Sequence, residues 1–217
     1  MGNIINEVAL ILDDNDSIER NDKEIEYLSY IKDHIANVRK AFMMYIVPIL
    51  KKNNISKFFS DEEFKQAAVD VYKRLGDHDA SKFSDYEFDG YRAKWYPTNR
   101  EMNYDQDYLD KMEERYAEAW EHHATHNPHH PKYWYDPVNN VSKDMDLSAI
   151  IEMICDWIAM GTFYGTSTIL WYENQADEEK KYISPRSKEI LEDLLYNVIF
   201  GSQEDSTPAM PEKFDEK

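Results

Sequence analysis

Seven histidines stand in this chain, and their placement is its most chemical feature. His34 lies within a helical pattern, and His78 is followed directly by Asp79. His122, His123, His126, His129 and His130 crowd into nine residues. Imidazole is the commonest metal ligand, and a carboxylate beside it offers a charged oxygen able to bridge two ions. Divalent metals in nitrogen-and-oxygen sites take such ligands from several separate elements. A further carboxylate, Asp156, is set in Ile154-Cys155-Asp156-Trp157-Ile158, where an ion is expensive to bury unless paired or metal-bound. Glu152 precedes it by four residues, on the same helical face. Two acids on one apolar face repel each other unless a cation lies with them.

Each of these residues also has a plain structural reading. A lone helical His34 can be a packed histidine, a His-Asp pair arises by chance, and a His-, Asn- and Pro-rich loop can simply be solvated. The set and its order carry the metal reading. His34, His78, Asp79 and Asp156 are the expected primary ligands. His123 and His130 are the first choices for a second ion, with His122 and His129 next. Neighbouring helical side chains point about 100° apart, so only one of His122 and His123 should face inward. His126, within one turn of both, reads as solvated or as a support for either, and Cys155, the only cysteine, as core.

The elements that must position these residues are helical. Ile25, Leu28, Ile31, Ile35, Val38 and Phe42 recur at three- and four-residue steps, which predicts an amphipathic helix over 23–46 that Pro48 limits. Ser60-Asp61-Glu62-Glu63 predicts a capping box opening a helix to about Leu75. Ser84-Asp85-Tyr86-Glu87 predicts a second one, ahead of a short helix that Pro97 closes. A long helix should begin at Asn103 and break at Asn127-Pro128, with an ordered loop over 128–145. The most apolar helix is expected from Leu147 to Tyr172, with Gly161 and Gly165 allowing close packing on a neighbour. Ser184-Pro185 should start the last helix, ending near Phe200. The fold class is therefore all-α. The organisation read from the sequence is an N-terminal segment 1–22, a helical domain 23–201, and a disordered acidic tail 202–217.

Lysine and arginine total 25 against 43 acids, a net charge of −18 over 217 residues. That balance argues against a long nucleic acid as partner, because gripping a phosphate backbone requires clustered cations. A small phosphorylated ligand in a local cationic or metal-lined pocket stays open. No apolar run in the sequence reaches the roughly 20 residues of a membrane span, and no membrane partner is expected. The start lacks the basic lead-in of a signal peptide, and Asn6 replaces the Ser or Thr of a myristoylation motif. One cysteine fits a reducing compartment, so a cytoplasmic location is expected. The oligomeric state is not legible.

The order His34, His78-Asp79, Asp156 resembles the HD-domain metal-dependent phosphohydrolases, in which a helical His, a His-Asp doublet and a distant helical Asp bind the metal. Val38, four residues after His34, fits the first motif. His78-Asp79-Ala80-Ser81-Lys82 is similar to the His-Asp-x-x-Lys form of HD-GYP-type members, where the lysine helps hold a phosphate. The Gly-Tyr-Pro signature of that group is absent, and the histidine cluster is more compressed. Trp120-Glu121-His122-His123, Asn127-Pro128-His129-His130, Tyr133-Trp134 and the Glu152–Trp157 stretch resemble an uncharacterised family of bacteria and their phages, over about residues 25–200.

The resemblance implies an HD-like fold and a phosphohydrolase using one or two divalent ions, among Mn, Mg, Co, Ni, Fe and Zn. Lys82 would neutralise phosphate charge. Glu152 would carry a proton or orient a ligand histidine. The expected substrate is a nucleotide or another small phosphate ester. Tyr86, Tyr91, Trp95, Tyr133 and Trp134 are the aromatics that could stack a base or serve as core and rim, and Arg92, Lys94 and Lys132, the cations nearest the motifs, are expected to face solvent or to reach a phosphate. Two other classes fit the same residues. One is a non-catalytic metal- or nucleotide-binding protein, such as a phage accessory factor. The other is a di-iron oxygenase on an HD-like scaffold.

Overall fold

A computed structural model describes residues 2–201, with side chains from residue 17 onward. The expected tail lies outside the described residues. The chain forms a mostly helical domain, with nine α-helices among the described residues and strand confined to a two-residue ladder. Backbone contacts divide it into two compact units. One comprises Met1–Asp33 and Asp79–His123, the other His34–His78 and Ala124–Lys217.

Helix α1, Gly2–Ala41, contributes to both units and takes in the residues expected to precede the helical domain. The first unit continues with α3 (Phe88–Trp95), α4 (Asn99–Met102) and α5 (Gln106–His126, through His123). Its core is aromatic: Tyr27 packs its ring against Phe88, Tyr91 and Tyr96. Gly90 lets α3 approach α5 closely, since a Cβ there would fall 2.7 Å from the Arg115 carbonyl oxygen and 2.8 Å from the Ala119 Cβ. The expected second capping box is not formed. The Glu87 carboxylate is taken by histidines of α5, and α3 begins without a side-chain cap. The capping box in this region is Thr98 with Glu101, at the start of α4. Buried Arg92 donates to both Glu101 oxygens, at 2.6 and 2.7 Å. It is therefore an internal ion pair rather than a cation open to a ligand, which corrects its reading as a surface or phosphate-reaching residue.

In the second unit, the end of α1 passes into a wide turn, Phe42–Ile46, and a tight one, Val47–Lys51, with Pro48 in its first turn. Helix α2, Asp61–Arg74, opens with the expected capping box of Ser60 and Glu63. It turns Phe64, Ala67, Ala68 and Val71 inward. After α5, a tight turn at Pro131–Trp134 leads to β1 (Tyr135–Asp136), paired antiparallel with β2 (Val141–Ser142).

Helix α6, Leu147–Tyr164, is the core helix, and its residues from Ala149 to Ala159 are all buried. A helix apolar on every side belongs in an interior. Over its 18 residues it is also apolar enough, by length and composition alone, to cross a membrane. Its burial against α2 accounts for that composition, and the two carboxylates it carries belong to the interior of the unit. It ends sooner than its apolar pattern suggests, because Gly165 adopts φ 68°, the left-handed cap that glycine takes without a steric penalty. The expectation of close packing holds at Gly161, where a Cβ would also fall 3.4 Å from Thr168 Oγ1, and fails at Gly165. Gly165 has open space where a Cβ would be, and Gly161 backs onto the Thr166 carbonyl of the following turn. Helices α7 (Thr168–Asn174), α8 (Asp177–Lys180) and α9 (Pro185–Asp193) complete the unit. Ser184 caps α9 as expected.

Candidate metal centre

In the second unit, three elements bring metal-ligand atoms together. His34 comes from α1, His78 from the turn after α2, and Asp156 from α6. His34 Nε2 lies 3.1 Å from Asp156 Oδ1, and His78 Nε2 lies 3.9 Å from the same oxygen. All three ligand atoms fall within 4.8 Å of one another. Metal–ligand distances of about 2.1 Å place neighbouring ligand atoms about 3.0 Å apart in octahedral and about 3.4 Å apart in tetrahedral geometry. The 3.1 Å separation falls in that range and the 3.9 Å one exceeds it by about 0.5 Å, so closing on an ion requires a small movement of His78, and the two imidazoles and one carboxylate suit a divalent ion. Both histidines are buried.

Glu152 lies one turn before Asp156 on α6 and decides how His78 is presented. Its Oε1 is 3.2 Å from His78 Nδ1, and its Oε2 accepts from Arg74 Nε at 2.6 Å. A proton on Nδ1 donated to Glu152 leaves the Nε2 lone pair directed at Asp156, the usual way a carboxylate fixes the tautomer of a ligand histidine. Burial pushes the Glu152 carboxyl up, but the His78 bond, His129 and Arg74 outweigh it and hold the group below its ordinary range. His129 stacks on His78 at 4.4 Å between ring centroids, and its Nδ1 is 3.7 Å from Glu152 Oε1. His78, His129 and Glu152 form an alternative donor set. The Arg74 guanidinium already neutralises Glu152, so the His34–His78–Asp156 set is the better cation site. His130 packs on His129 at 4.3 Å.

The first unit holds Asp79, Lys82, Glu87, His122 and His123. Asp79 sits in the left-handed region at φ 58°, ψ 18°, which is uncommon outside glycine and costs on the order of 1 kcal/mol or more. Lys82 Nζ donates to its Oδ2 at 2.6 Å, and His123 Nε2 is 3.2 Å from its Oδ1. Lys82 also lies over the Tyr91 ring, 5.3 Å from the centroid. The other ring nitrogen of His123 meets Glu87 Oε2 and Ser81 Oγ, each at 3.0 Å. Glu87 Oε1 is 2.6 Å from His122 Nδ1. Burial lowers the His123 pKa, yet its bonds to Asp79 and Glu87 outweigh that and raise it. Burial likewise opposes the ionisation of Glu87, but the bonds from His123 and His122 hold its carboxyl below the ordinary value. His123 is fully buried, His122 half-buried and His126 exposed.

A family profile matches residues 23–197, most of the chain. The chain belongs to DUF5662, a family of unknown function. No curated protein and no solved structure matches it.

For this DUF5662 member, then, the chemistry has to be read from the residues. Three of them were missed in the sequence. Arg74 looks like an ordinary cation closing a helix, and Glu87 like a capping residue. Glu179 of α8 sits in an acidic run that reads as solvent-facing, yet burial and the Asp156 charge push its carboxyl up to about 7. The aromatics expected to stack a base divide: Tyr91 is buried, Trp134 half-buried, and Tyr86, Trp95 and Tyr133 exposed. Lys94 pairs with Glu113, and Lys132 lies 5.4 Å over the Tyr182 ring.

Proposed function

We propose that this protein is a metal-dependent phosphohydrolase of the HD type, acting on a nucleotide or another small phosphate ester. The reading rests on one observation: His34 Nε2, His78 Nε2 and Asp156 Oδ1 converge at ion-binding separations, from elements in the order of the HD motif. His34, His78 and Asp156 would hold the ion. Glu152 keeps the His78 proton on Nδ1, and Arg74 keeps Glu152 ionised. A divalent ion in such a site supplies an acidified water and polarisation of a phosphoryl oxygen. Met153 and Ala159, one turn either side of Asp156 on α6, are buried, and apolar surroundings of that kind would strengthen the hold of the ligands on an ion.

The test is a screen for inorganic phosphate release. Metal-free protein would be reloaded in turn with Mn, Mg, Co, Ni, Fe and Zn and offered nucleoside phosphates and simple phosphate esters. Release with at least one ion, lost in His78→Ala, is the expected result. No release with any ion and any ester would contradict the reading.

A further inference from the structure

Glu87 is fully buried, and it anchors the tight turn that follows His78 and Asp79 in the chain. Its Oε2 accepts from Ser81 Oγ at 3.0 Å and meets His123 Nδ1 at 3.0 Å, and its Oε1 meets His122 Nδ1 at 2.6 Å. Ser81 belongs to that turn, Ala80–Phe83, and His123 reaches back to the residue that opens it, with Nε2 3.2 Å from Asp79 Oδ1. His123 thus lies between two carboxylates, which favours an imidazolium with a proton on each nitrogen. Lys82 holds the turn as well. Its backbone N–H donates to the Asp79 carbonyl at 3.0 Å and its ammonium to Asp79 Oδ2 at 2.6 Å. All of these contacts lie within the first unit.

The turn needs such a hold. Asp79 stands at φ 58°, a conformation that a residue other than glycine keeps only where its surroundings enforce it. Asp79 also follows His78 directly, so its backbone angles set the course of the chain as it leaves a ligand histidine. Glu152 fixes the His78 ring, and the Asp79 turn fixes the backbone on its C-terminal side. We propose that Glu87 is a positioning residue for His78, acting through Ser81 and His123 on the left-handed turn at Asp79. The role presupposes the ion site of His34, His78 and Asp156 and no particular substrate.

The experiment titrates the metal-free full chain with Co(II), followed by visible absorption, in the parent, Glu87→Gln, Asp79→Gly and the double variant. An amide at position 87 has one oxygen for the donors of Ser81, His122 and His123, so the turn is released. Metal binding must then restore a left-handed Asp79. Glu87→Gln should therefore bind Co(II) about 5-fold more weakly than the parent, equivalent to about 1 kcal/mol. Glycine takes the same angles without that cost, so in the Asp79→Gly background the change at 87 should alter affinity by less than about twofold. If Glu87→Gln loses its helical circular dichroism, Lys82→Met replaces it, since it removes the ammonium from Asp79 and carries the same two expectations. Parent-like affinity in Glu87→Gln would overturn the proposal. So would an equal loss in both backgrounds, which would put the effect outside the turn. Loss of all Co(II) binding in Asp79→Gly would also overturn it, because Asp79 would then be a ligand. A parent that binds no Co(II) would remove the ion site itself, and this role with it.

Discussion

Replacing Glu152 by Gln isolates the bond that sets the tautomer of His78. The carboxylate now accepts from Arg74 Nε at 2.6 Å and from His78 Nδ1 at 3.2 Å, with its side chain 5% exposed. An amide has only one oxygen for these two donors. The charged donor takes it, because hydrogen bonds to ionised groups are roughly twice as strong as neutral ones. The amide NH2 then faces His78 Nδ1, which must become an acceptor, and the imidazole proton moves to Nε2. That is the atom facing Asp156 and the ion. Loss of such an orienting partner costs about 10- to 100-fold in metal affinity, or about 1.4–2.7 kcal/mol. The metal-free fold should change little, because Arg74 is half-exposed and its ion pair is screened by solvent. The assay is titration of metal-free protein with Co(II), followed by visible absorption. Parent-like affinity in Glu152→Gln would refute the tautomer argument. Complete loss of binding would make Glu152 itself a ligand, in the alternative set with His78 and His129.

Three further outcomes follow from the geometry. Asp79 is left-handed at φ 58°, so in the presence of chelator Asp79→Gly should be more stable to denaturant than Asp79→Ala by about 1 kcal/mol; equal stability would mean the turn is not left-handed in solution. The Tyr27 and Tyr91 hydroxyls are buried with no hydrogen-bond partner among the described residues. Phe at either position should leave the melting temperature unchanged or raise it, since an unmatched buried hydroxyl costs about 1–3 kcal/mol, and a clear drop would reveal a bonded hydroxyl. Glu101→Gln leaves the buried Arg92 guanidinium without its counter-charge and should cost about 3–5 kcal/mol in denaturant unfolding. Burial pushes the Glu101 carboxyl up, but the Arg92 and Thr98 bonds outweigh it and hold the group below its ordinary 4.5. Its contribution is thus present above pH 4.5 and lost as the pH falls through the depressed value. Below pH 4.5 the parent should lose stability more steeply than the variant, and parallel acid profiles would remove Glu101 from that role.

Signals that act within one turn of chain were legible in the sequence, and those that act across the fold were not. Ser60 and Glu63 cap α2 as their spacing implies, because both partners are local. Ser84 and Glu87 have the same spacing, yet two histidines 35 and 36 residues away claim the Glu87 carboxylate. The apolar stretch after Leu147 announces a core helix but not its end. Gly165 stops it, and a glycine in an apolar run reads equally as a packing contact. His34 and Asp156 stand out because each is polar within a segment patterned for burial, and His78 because Asp79 follows it directly. Which ring nitrogen faces which oxygen depends on Glu152, and the sequence offers no sign of that. Arg74 was hidden because a cation in the last turn of a helix already complements the helix dipole. Glu179 was hidden because an acidic run ordinarily faces water.

The deciding property is whether a divalent ion binds His34, His78 and Asp156. The measurement is metal content per chain, by elemental analysis after loading and desalting, in the parent and in His34→Ala, His78→Ala and Asp156→Ala. The expected result is at least one equivalent in the parent, reduced in each variant by that same equivalent, with helical circular dichroism retained. A parent that retains no stoichiometric metal, or variants that retain as much as the parent, would contradict the account.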